Sequence, residues 1–392
     1  MSTKIYITGY GAIAALGNNV AEISAALYAE KTGIRQSQKP YSEKYKVGEI
    51  SFSNDELVQY FGLKKEASRT ALLGMIAAKE AFTSHELNNN IRTGLISGTS
   101  VGGMDVSEKE YLKFLNGEQD NLDVYRNHPS GTTTQQIAEE IGIDVYYNTI
   151  STACSSATNA IMMGARMIQA GQLDRVIVGG TDGLSQFTIA GFNSLMIFDE
   201  EWCRPFDETR KGLNLGEGAG FIVLESDYSL SQSDKKPLAI LSGWSNACDA
   251  YHQTASSPDG SGAVLSMTEA LTVAGLHPSE IDYINAHGTA TPNNDLSESH
   301  AIKTVFGEKV PPFSSTKSYT GHTLAASGGI EAVISILSIQ ESVLFPNLNF
   351  ATPIVETNLV PIQSVTKAPV SHVLSNAFGF GGNNSTIIFS KI

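Results

Sequence analysis

Cys154 stands where a strand-like run of residues gives way to a helical pattern. Residues 145–150 are rich in β-branched and aromatic side chains, and small or apolar residues recur at helical spacing over residues 157–168. A cysteine at a helix N-terminus lies beside unpaired N–H groups and the positive end of the helix dipole, and both favour the nucleophilic thiolate. The local sequence therefore predicts a nucleophilic thiol, against the alternative that a lone cysteine is a small buried hydrophobic residue.

Three other segments hold groups that could take part in the same chemistry. His287 comes directly after a strand-like run, Lys317 and His322 share one loop before a Gly/Ala-rich helix, and Phe380 lies in a loop of glycines. Each has a simpler explanation: a structural histidine, a solvated lysine or an ordinary turn. Together, a thiolate, two imidazoles and backbone N–H groups suit acyl transfer, in which the thiolate attacks a thioester and the N–H groups stabilise an oxyanion or enolate.

The composition excludes several other kinds of protein. The 392 residues carry a net charge of -14, with 41% hydrophobic and 17% charged residues, which indicates a folded enzyme rather than a disordered chain or a broad nucleic-acid binder. The three cysteines form no CxxC pair, so we expect neither a disulfide framework nor a metal site. No apolar run reaches about 18 residues, and the first residues lack the apolar core of a signal peptide. We therefore expect a cytoplasmic protein without a membrane span.

Short strands and helices alternate along the chain, which predicts an α/β fold with buried sheets and catalytic residues at the ends of strands. The polar stretch 226–236 is followed by Pro237, so we predict a boundary there, between an N-terminal half (1–235) with the cysteine and a C-terminal half (236–392) with the histidines and the lysine. The predicted strands are 5–8, 94–96, 175–178, 220–225, 238–242, 281–285, 373–375 and 386–389, and the predicted helices are 21–30, 69–82, 262–274 and 330–337.

Four segments in this order resemble the signature motifs of the β-ketoacyl-[acyl-carrier-protein] synthases of the Cys-His-His type, and those of ketosynthase II in particular. The segments are 153–156, 285–292, 317–322 and 379–382. The resemblance extends from end to end, and it includes residues 7–11, 204–207, 215–220 and 249–252. It implies a thiolase-like α/β fold, with two similar halves in a duplicated five-layered αβαβα core, and normally a homodimer.

The resemblance also implies a mechanism. Cys154 would take an acyl group from its carrier protein, and malonyl-carrier protein would then lose CO2 and attack the acyl thioester. His287 and His322 would support decarboxylation and stabilise the enolate, and Lys317 would position His322. No metal or dissociable cofactor is required, because the substrates are carried on the phosphopantetheine of acyl-carrier protein. The remaining implied roles are an oxyanion hole from the N–H groups of Cys154 and Phe380, an acyl-pocket gate at Phe380, phosphopantetheine contacts from Thr289 and Thr291, and a structural Glu331 near the lysine.

Residue types argue against several related classes. Ketosynthase III enzymes have asparagine where this chain has His322, and thiolases need a further cysteine near the C-terminus, whereas Cys248 is the last one here. Chain-length factors lack the nucleophile that Cys154 would supply. A non-elongating partner in a ketosynthase heterodimer, which determines chain length or only decarboxylates, stays open as an alternative function.

Three departures from the ketosynthase II pattern leave the acyl substrate open. Asn214 stands where the family usually has an apolar residue, Asn293 and Asn294 stand where small residues are usual, and the stretch 184–203 is short. The short stretch borders the acyl pocket and the dimer interface in the family. An enzyme that builds polyene-type chains in a specialised pathway is therefore an alternative to a housekeeping fatty-acid synthase.

A basic cluster, Lys64, Lys65 and Arg69, lies just before and at the start of a predicted helix. Such a cluster is either an ordinary solvated surface or a docking site for an acidic partner. The family docks its acidic carrier protein on a basic patch near this position. We therefore carry these three residues as a predicted carrier-docking surface.

Overall fold

The computed structural model describes residues 4–39, 42–64, 67–118 and 122–392. The strands in these ranges are β1 (Tyr6–Ala14), β2 (Arg35–Gln36), β3 (Lys46–Val47), β4 (Thr93–Gly98), β5 (Tyr146–Ile150), β6 (Arg175–Asp182), β7 (Gly218–Glu225), β8 (Ala239–Cys248), β9 (Tyr283–Asn285), β10 (Phe313–Ser314), β11 (Val343–Leu344), β12 (Thr366–Lys367), β13 (His372–Gly379) and β14 (Asn383–Ser390). The α-helices are α1 (Val20–Tyr28), α2 (Asn54–Phe61), α3 (Arg69–Phe82), α4 (Met104–Leu115), α5 (Ser130–Ile141), α6 (Ser156–Gln169), α7 (Gln186–Ser194), α8 (Asp227–Ser231), α9 (Ser261–Ala274), α10 (Pro292–Phe306), α11 (Lys317–Thr320) and α12 (Ser327–Glu341).

The main sheet consists of two half-sheets joined edge to edge. Its strand order is β10-β9-β13-β14-β8-β1-β7-β6-β4-β5, and the halves meet where β1 and β8 pair antiparallel. The parallel pairs are β4 with β5 and β6 in one half, and β9 with β10 and β13 in the other. Because the carboxyl ends of parallel strands share one edge of a sheet, the loops after β5, β9, β10 and β13 are the ones placed to build a site.

Helices and half-sheets alternate in five layers. The helices α6 and α12 form the central layer: α12 contacts β7 and β13, and α6 contacts β6 and β14. One outer layer consists of α3 and α5, and the other consists of α9 and α10. Residues 327–339 of α12 are all buried, as a helix between two sheets must be. The layering agrees with the αβαβα arrangement expected from the sequence.

Local signals explain which helices the sequence revealed. The helix α3 has the predicted bounds, because Ser68 caps it by accepting the Ala71 N–H at the start of a long apolar pattern. The helix α12 begins three residues before its predicted start, on Ser327 and two glycines, whose low helix propensity is compensated by burial between the sheets. The sequence reading missed α10, which begins at Pro292 and has a largely polar first half without apolar periodicity.

None of the described helices is both long and apolar enough to cross a bilayer.

Candidate active site

Cys154 lies in the turn between β5 and α6, and neighbouring hydroxyl groups hold the backbone of this turn. Ala153 has a φ of +53°, in the left-handed region that L residues rarely adopt. Ser156 Oγ donates to the Ala153 carbonyl and accepts the Thr152 N–H. Cys154 is 5% exposed, and the N–H groups of Cys154 and Phe380 act to lower the pKa of its thiol. The turn therefore fixes the sulfur beside two backbone donors.

Two histidines from the C-terminal half face this sulfur. Cys154 Sγ and one ring nitrogen each of His287 and His322 all lie within 4.8 Å of one another. The two imidazole rings meet edge to face, with centroids 5.4 Å apart. His287 follows β9 and His322 follows α11, so both come from loops at the carboxyl edge of the second half-sheet. The fold thus brings together residues that are more than 130 positions apart.

Backbone and hydroxyl groups fix the His322 ring. Its Nδ1 accepts the Leu324 N–H at 3.1 Å and lies 3.1 Å from Ser327 Oγ. Because a backbone N–H can only donate, Nδ1 carries no proton, and the proton of the neutral ring is on Nε2. His322 therefore has an Nε2–H donor available for the space beside Cys154.

Lys317 fixes the His287 ring in a similar way. Its ammonium donates to Glu331 at 2.5 Å and to the His287 carbonyl at 2.6 Å, and it lies 3.3 Å from His287 Nδ1. An ammonium group has no lone pair, so Nδ1 accepts and the ring proton is again on Nε2. No hydrogen bond joins Lys317 to His322 among the described residues; the lysine contacts His287 and acts on His322 through its charge, so its predicted positioning of His322 stays a prediction.

A thiol and two imidazoles at this spacing raise the question of a metal ion. Metal-bound histidines use an unprotonated ring nitrogen, whereas both nitrogens facing the thiol carry protons in these tautomers. The Lys317 ammonium, 3.3 Å from His287 Nδ1, also opposes a second cation nearby. The donor set therefore suits hydrogen bonding to an oxyanion better than metal binding.

Burial decides the protonation of all three groups. It lowers the pKa of both histidines well below the ordinary value of 6.5, and the Lys317 charge lowers them further, so both rings are neutral near pH 7. Burial also raises the pKa of the Cys154 thiol to about 12, against the opposing effects of Lys317 and of the Phe380 and Cys154 N–H groups. This direction is opposite to the low-pKa thiolate expected at the helix N-terminus.

Two cavities meet at Cys154. One, of about 280 Å³, is lined by Cys154, both histidines and a mixture of apolar and polar residues that includes Thr289 and Thr291. The second, of about 520 Å³, is mainly apolar and is lined by residues of α4 and α7, with Phe380 between the two cavities. The Phe380 ring stacks on Phe192 of α7, with centroids 5.8 Å apart. The cavity with the histidines thus offers hydroxyl and amide groups as well as apolar walls, and the second cavity offers mainly apolar walls.

Comparison with known proteins places this geometry in a family. Residues 2–229 match the family description "Beta-ketoacyl synthase, N-terminal domain", and residues 238–351 match "Beta-ketoacyl synthase, C-terminal domain". The chain belongs to the beta-ketoacyl synthase family. This confirms the resemblance stated from the sequence motifs.

One curated relative and two solved structures show how far the likeness to other beta-ketoacyl synthases extends. The 3-oxoacyl-[acyl-carrier-protein] synthase 2 of Staphylococcus aureus (strain COL) is 34% identical over 410 residues, which cover 99% of this chain and 98% of the relative. The ishigamide ketosynthase/chain length factor has a TM-score of 0.93 at 26% identity, with 100% of both chains covered. A type II polyketide synthase acyl-carrier protein in complex with its ketosynthase, bound to the hexaketide, gives a TM-score of 0.91 at 26% identity, again with 100% of both chains covered. The predicted thiolase-like α/β fold is confirmed.

The unusual Asn214 of this synthase has a structural explanation. Its side chain is fully buried, accepts the Cys203 N–H at 2.7 Å, and donates to the carbonyls of Asp199 and Glu201. Its own carbonyl accepts the His322 N–H at 2.7 Å. An apolar residue could not make the side-chain bonds, so Asn214 fastens the end of the short 184–203 stretch beside the active site.

The predicted carrier-docking cluster is wrong at Arg69. This side chain is buried, and it forms a double hydrogen bond with the buried carboxylate of Glu217, so it offers no charge to a partner. Lys64 is exposed and donates to the Glu140 carbonyl. Lys65 lies outside the described residues. The position of Arg69 at the first turn of α3 was readable from the sequence, but the direction of its side chain was not.

Sequence reasoning missed Glu298 of α10. Its side chain is fully buried and binds the backbone of the loop that carries His287. Burial raises its pKa to about 7, against the N–H groups that lower it. An available signal was the spacing of Asp295 and Glu298, because residues three apart in a helix share one face. Because α10 was not predicted, this spacing did not identify Glu298 as a residue of the site.

Proposed function

We propose that this synthase catalyses the decarboxylative Claisen condensation of an acyl group on Cys154 with malonyl-acyl-carrier protein. The observation that carries the proposal is the arrangement at the sulfur: two neutral imidazoles lie within 4.8 Å with their Nδ1 atoms occupied and their Nε2–H donors available, and the N–H groups of Cys154 and Phe380 act to lower the pKa of the thiol. These are the donors that an acyl oxyanion and a thioester enolate need.

In the first half-reaction, Cys154 Sγ attacks the carbonyl of an acyl-carrier thioester. The carbonyl oxygen, as it gains charge, accepts the N–H groups of Cys154 and Phe380. The carbon–sulfur bond to the carrier breaks, and the proton of the cysteine thiol ends on the departing carrier thiol. Since the thiol has a pKa of about 12, this proton transfer has to accompany the attack rather than precede it.

In the second half-reaction, malonyl-carrier protein enters the cavity of about 280 Å³ that contains both histidines. The bond between the carboxylate carbon and the α-carbon breaks, CO2 leaves, and the electron pair moves onto the thioester oxygen. That enolate oxygen accepts the Nε2–H groups of His287 and His322. The α-carbon then attacks the acyl carbonyl on Cys154, and the thiolate that leaves takes a proton from water.

Neighbouring residues support these steps. Lys317, held by Glu331, keeps the proton of His287 on Nε2 through its contact with Nδ1. The hydroxyls of Thr289 and Thr291 lie 2.9 Å apart in the same cavity and would bind the amides of the phosphopantetheine arm. Phe380 lines both cavities at Cys154, where movement of its ring would control the passage of the acyl chain.

The acyl chain itself would lie in the apolar cavity of about 520 Å³. This cavity shares Met104 and Phe187 with a further apolar pocket of about 430 Å³ that also involves Tyr111 and Tyr125. Such a volume suits a long acyl chain, and the aromatic lining suits a conjugated one. A fatty acyl or a polyene-type acyl group would both fit these walls.

The partners proposed are acyl-carrier protein and a second ketosynthase-like subunit. The edge of the main sheet at β5 supports the second, because Val145 and Tyr147 are 66% and 44% exposed there. A sheet edge with exposed apolar side chains is a site for pairing with another chain. A second copy of this chain would extend the sheet, and light scattering of the purified protein measures whether it forms a dimer alone or needs a different subunit.

The experiment that tests the function follows both half-reactions by intact-protein mass spectrometry. Wild type is expected to gain the acyl mass from acyl-carrier protein and then to give a β-ketoacyl-carrier product with malonyl-carrier protein. Cys154→Ala should do neither, while Cys248→Ala, which changes an exposed cysteine, should do both. Release of CO2 without a β-ketoacyl product would overturn elongation in favour of a non-elongating partner subunit.

A further inference from the structure

The two N–H groups that would hold the acyl oxyanion belong to separate elements of the chain. Cys154 lies in the turn between β5 and α6, whereas Phe380 lies in the short turn of the β13–β14 hairpin, whose last pair is Gly379 with Asn383. Two donors can act on one oxygen only if their elements keep a fixed separation. The contacts that join the hairpin to the Cys154 turn therefore matter for the chemistry.

The hairpin packs directly on the backbone of this turn. A Cβ atom at Gly379 would lie 2.7 Å from the Thr152 carbonyl oxygen and 3.1 Å from Ser155 Oγ, so the absence of a side chain permits this close approach. Packing limits how near the two elements can come. Hydrogen bonds, which depend on direction, are needed to fix the angle between them as well.

Asn383 supplies such bonds from the base of the hairpin. Its side-chain oxygen accepts from Asn159 Nδ2 of α6 at 2.8 Å. Ser155 directly follows the nucleophile, and its Oγ lies 2.7 Å both from this oxygen and from the Thr152 carbonyl, which share the hydroxyl proton. One amide of the hairpin is thus bonded to both sides of the Cys154 turn.

Asn159 completes the connection between the two elements. Its side-chain oxygen accepts from Ser385 Oγ of β14 at 2.8 Å. In the described parts of the chain, every side-chain hydrogen bond between residues 152–159 and 379–390 involves Asn159 or Asn383. Neither asparagine lines an active-site cavity, so both act by placing other groups.

We propose that Asn383 is a positioning residue for the oxyanion hole, because it fixes the Phe380 N–H relative to the Cys154 N–H. The inference rests on the proposed function and adds a residue to it. Acylation and condensation both place negative charge on the carbonyl oxygen of the group joined to Cys154, so both depend on this spacing. Alkylation of the same sulfur by iodoacetamide forms no oxyanion and does not need it.

The test uses Asn383→Ala in a Cys248→Ser background, where Cys248 is the exposed cysteine. Loss of one oxyanion donor costs about 100- to 1,000-fold in kcat and displacement costs less, so acyl transfer to Cys154 should slow about 10- to 100-fold. Iodoacetamide alkylation should change by less than about threefold. Intact-protein mass spectrometry measures both rates. Equal slowing of the two reactions, or unchanged acyl transfer, would overturn the proposal.

Asn246→Ala is the matched control. Asn246 is exposed on β8, and it donates to the same oxygen of Asn383 at 2.7 Å without a bond to the turn residues 152–155. Its loss removes an amide from the same network on the side away from the nucleophile. We expect acyl transfer to stay within about twofold of wild type. A loss as large as that of Asn383→Ala would contradict a specific role for the bonds to the turn.

A double-mutant cycle uses Asn159→Ala, which breaks the same connection from α6. Alanine favours a helix, so this variant tests the proposal independently of how Asn383→Ala folds. It should also slow acyl transfer and spare alkylation, and the double variant should be about as slow as Asn383→Ala alone. Full additivity of the two losses would overturn the proposal. A wild type that takes no acyl group from acyl-carrier protein would instead overturn the proposed function.

Discussion

The ion pairs Arg69–Glu217 and Lys317–Glu331 are both almost fully buried, with N–O distances of 2.7 and 2.5 Å. Arg69 directs all its donors into the fold, to Glu217 twice and to three oxygens of residues 50–54. Lys317 gives one bond to its glutamate and directs the others at His287. Both cations form a buried ion pair, so the ion pair itself does not distinguish them. The other hydrogen bonds of each cation decide whether the residue stabilises the fold or positions an active-site residue.

The pKa values of the two glutamates in these ion pairs, Glu217 and Glu331, also differ. Burial acts to raise the pKa of Glu217, but the charge and hydrogen bonds of Arg69 outweigh it, so that pKa lies below its ordinary value. For Glu331, burial outweighs Lys317 and the pKa is raised. Without Arg69, the Glu217 carboxylate still accepts the N–H groups of Ile50 and Leu184, which favour its charged form, whereas Glu331 without Lys317 can take up a proton more easily. We expect stability to depend mainly on the first pair and activity on the second.

The largest effect is expected for Arg69→Met. An unpaired buried carboxylate costs about 3–5 kcal/mol, so the free energy of unfolding should fall by about that much in chemical denaturation. Adding Glu217→Gln should recover part of the loss, because it removes the stranded charge. Activity for each folded molecule should change little. Unchanged stability with a raised KM for carrier protein would instead restore the docking function predicted from the sequence.

Lys317→Met should have the next largest effect, and it should act on activity. Without the ammonium, His287 loses the partner of its Nδ1 and of its carbonyl, so condensation should fall about 100-fold. The free energy of unfolding should change less than in Arg69→Met, because Glu331 can be neutralised. The carrier-coupled condensation assay and a denaturation curve measure the two effects. A variant that is destabilised but fully active would reverse the comparison.

The smallest effect concerns the pH dependence of Cys154. With a pKa of about 12, the thiolate fraction should rise about tenfold for each pH unit from pH 7 to 9, without a plateau. Iodoacetamide alkylation followed by mass spectrometry in a Cys248→Ser background measures this rate. Since the Lys317 charge lowers the pKa of the thiol, Lys317→Met should alkylate more slowly. A plateau near neutral pH would show that the helix N-terminus outweighs burial.

Much of the fold could be predicted because its signals are local. Helix α3 was predicted with its bounds, and the strands that lead to Cys154 and His287 were predicted from the residue types of those strands. Helix α10 was missed because its first turns are polar, and they are buried only through bonds to loops and strands distant in the sequence. The same long-range bonds involve Glu298, so this residue could not be recognised without the fold.

In the candidate site, too, the residues could be predicted from the sequence, whereas their contacts could not. Cys154, His287, Lys317 and His322 were found from residue type and motif, and the structure brings them together. The differences from expectation concern what side chains contact: Lys317 binds His287, Arg69 is buried rather than exposed, and burial raises the pKa of the Cys154 thiol. None of these properties depends on the immediate neighbours in the sequence.

The sequence by itself determined which reactive groups the chain carries and the family to which it belongs, because motif identity and helix or strand periodicity depend on nearby residues. Only the tertiary structure decided the tautomers of the two histidines, the partner of Lys317 and the protonation of Cys154. These depend on desolvation and on charges within a few ångströms, and the groups that supply them come from both halves of the chain.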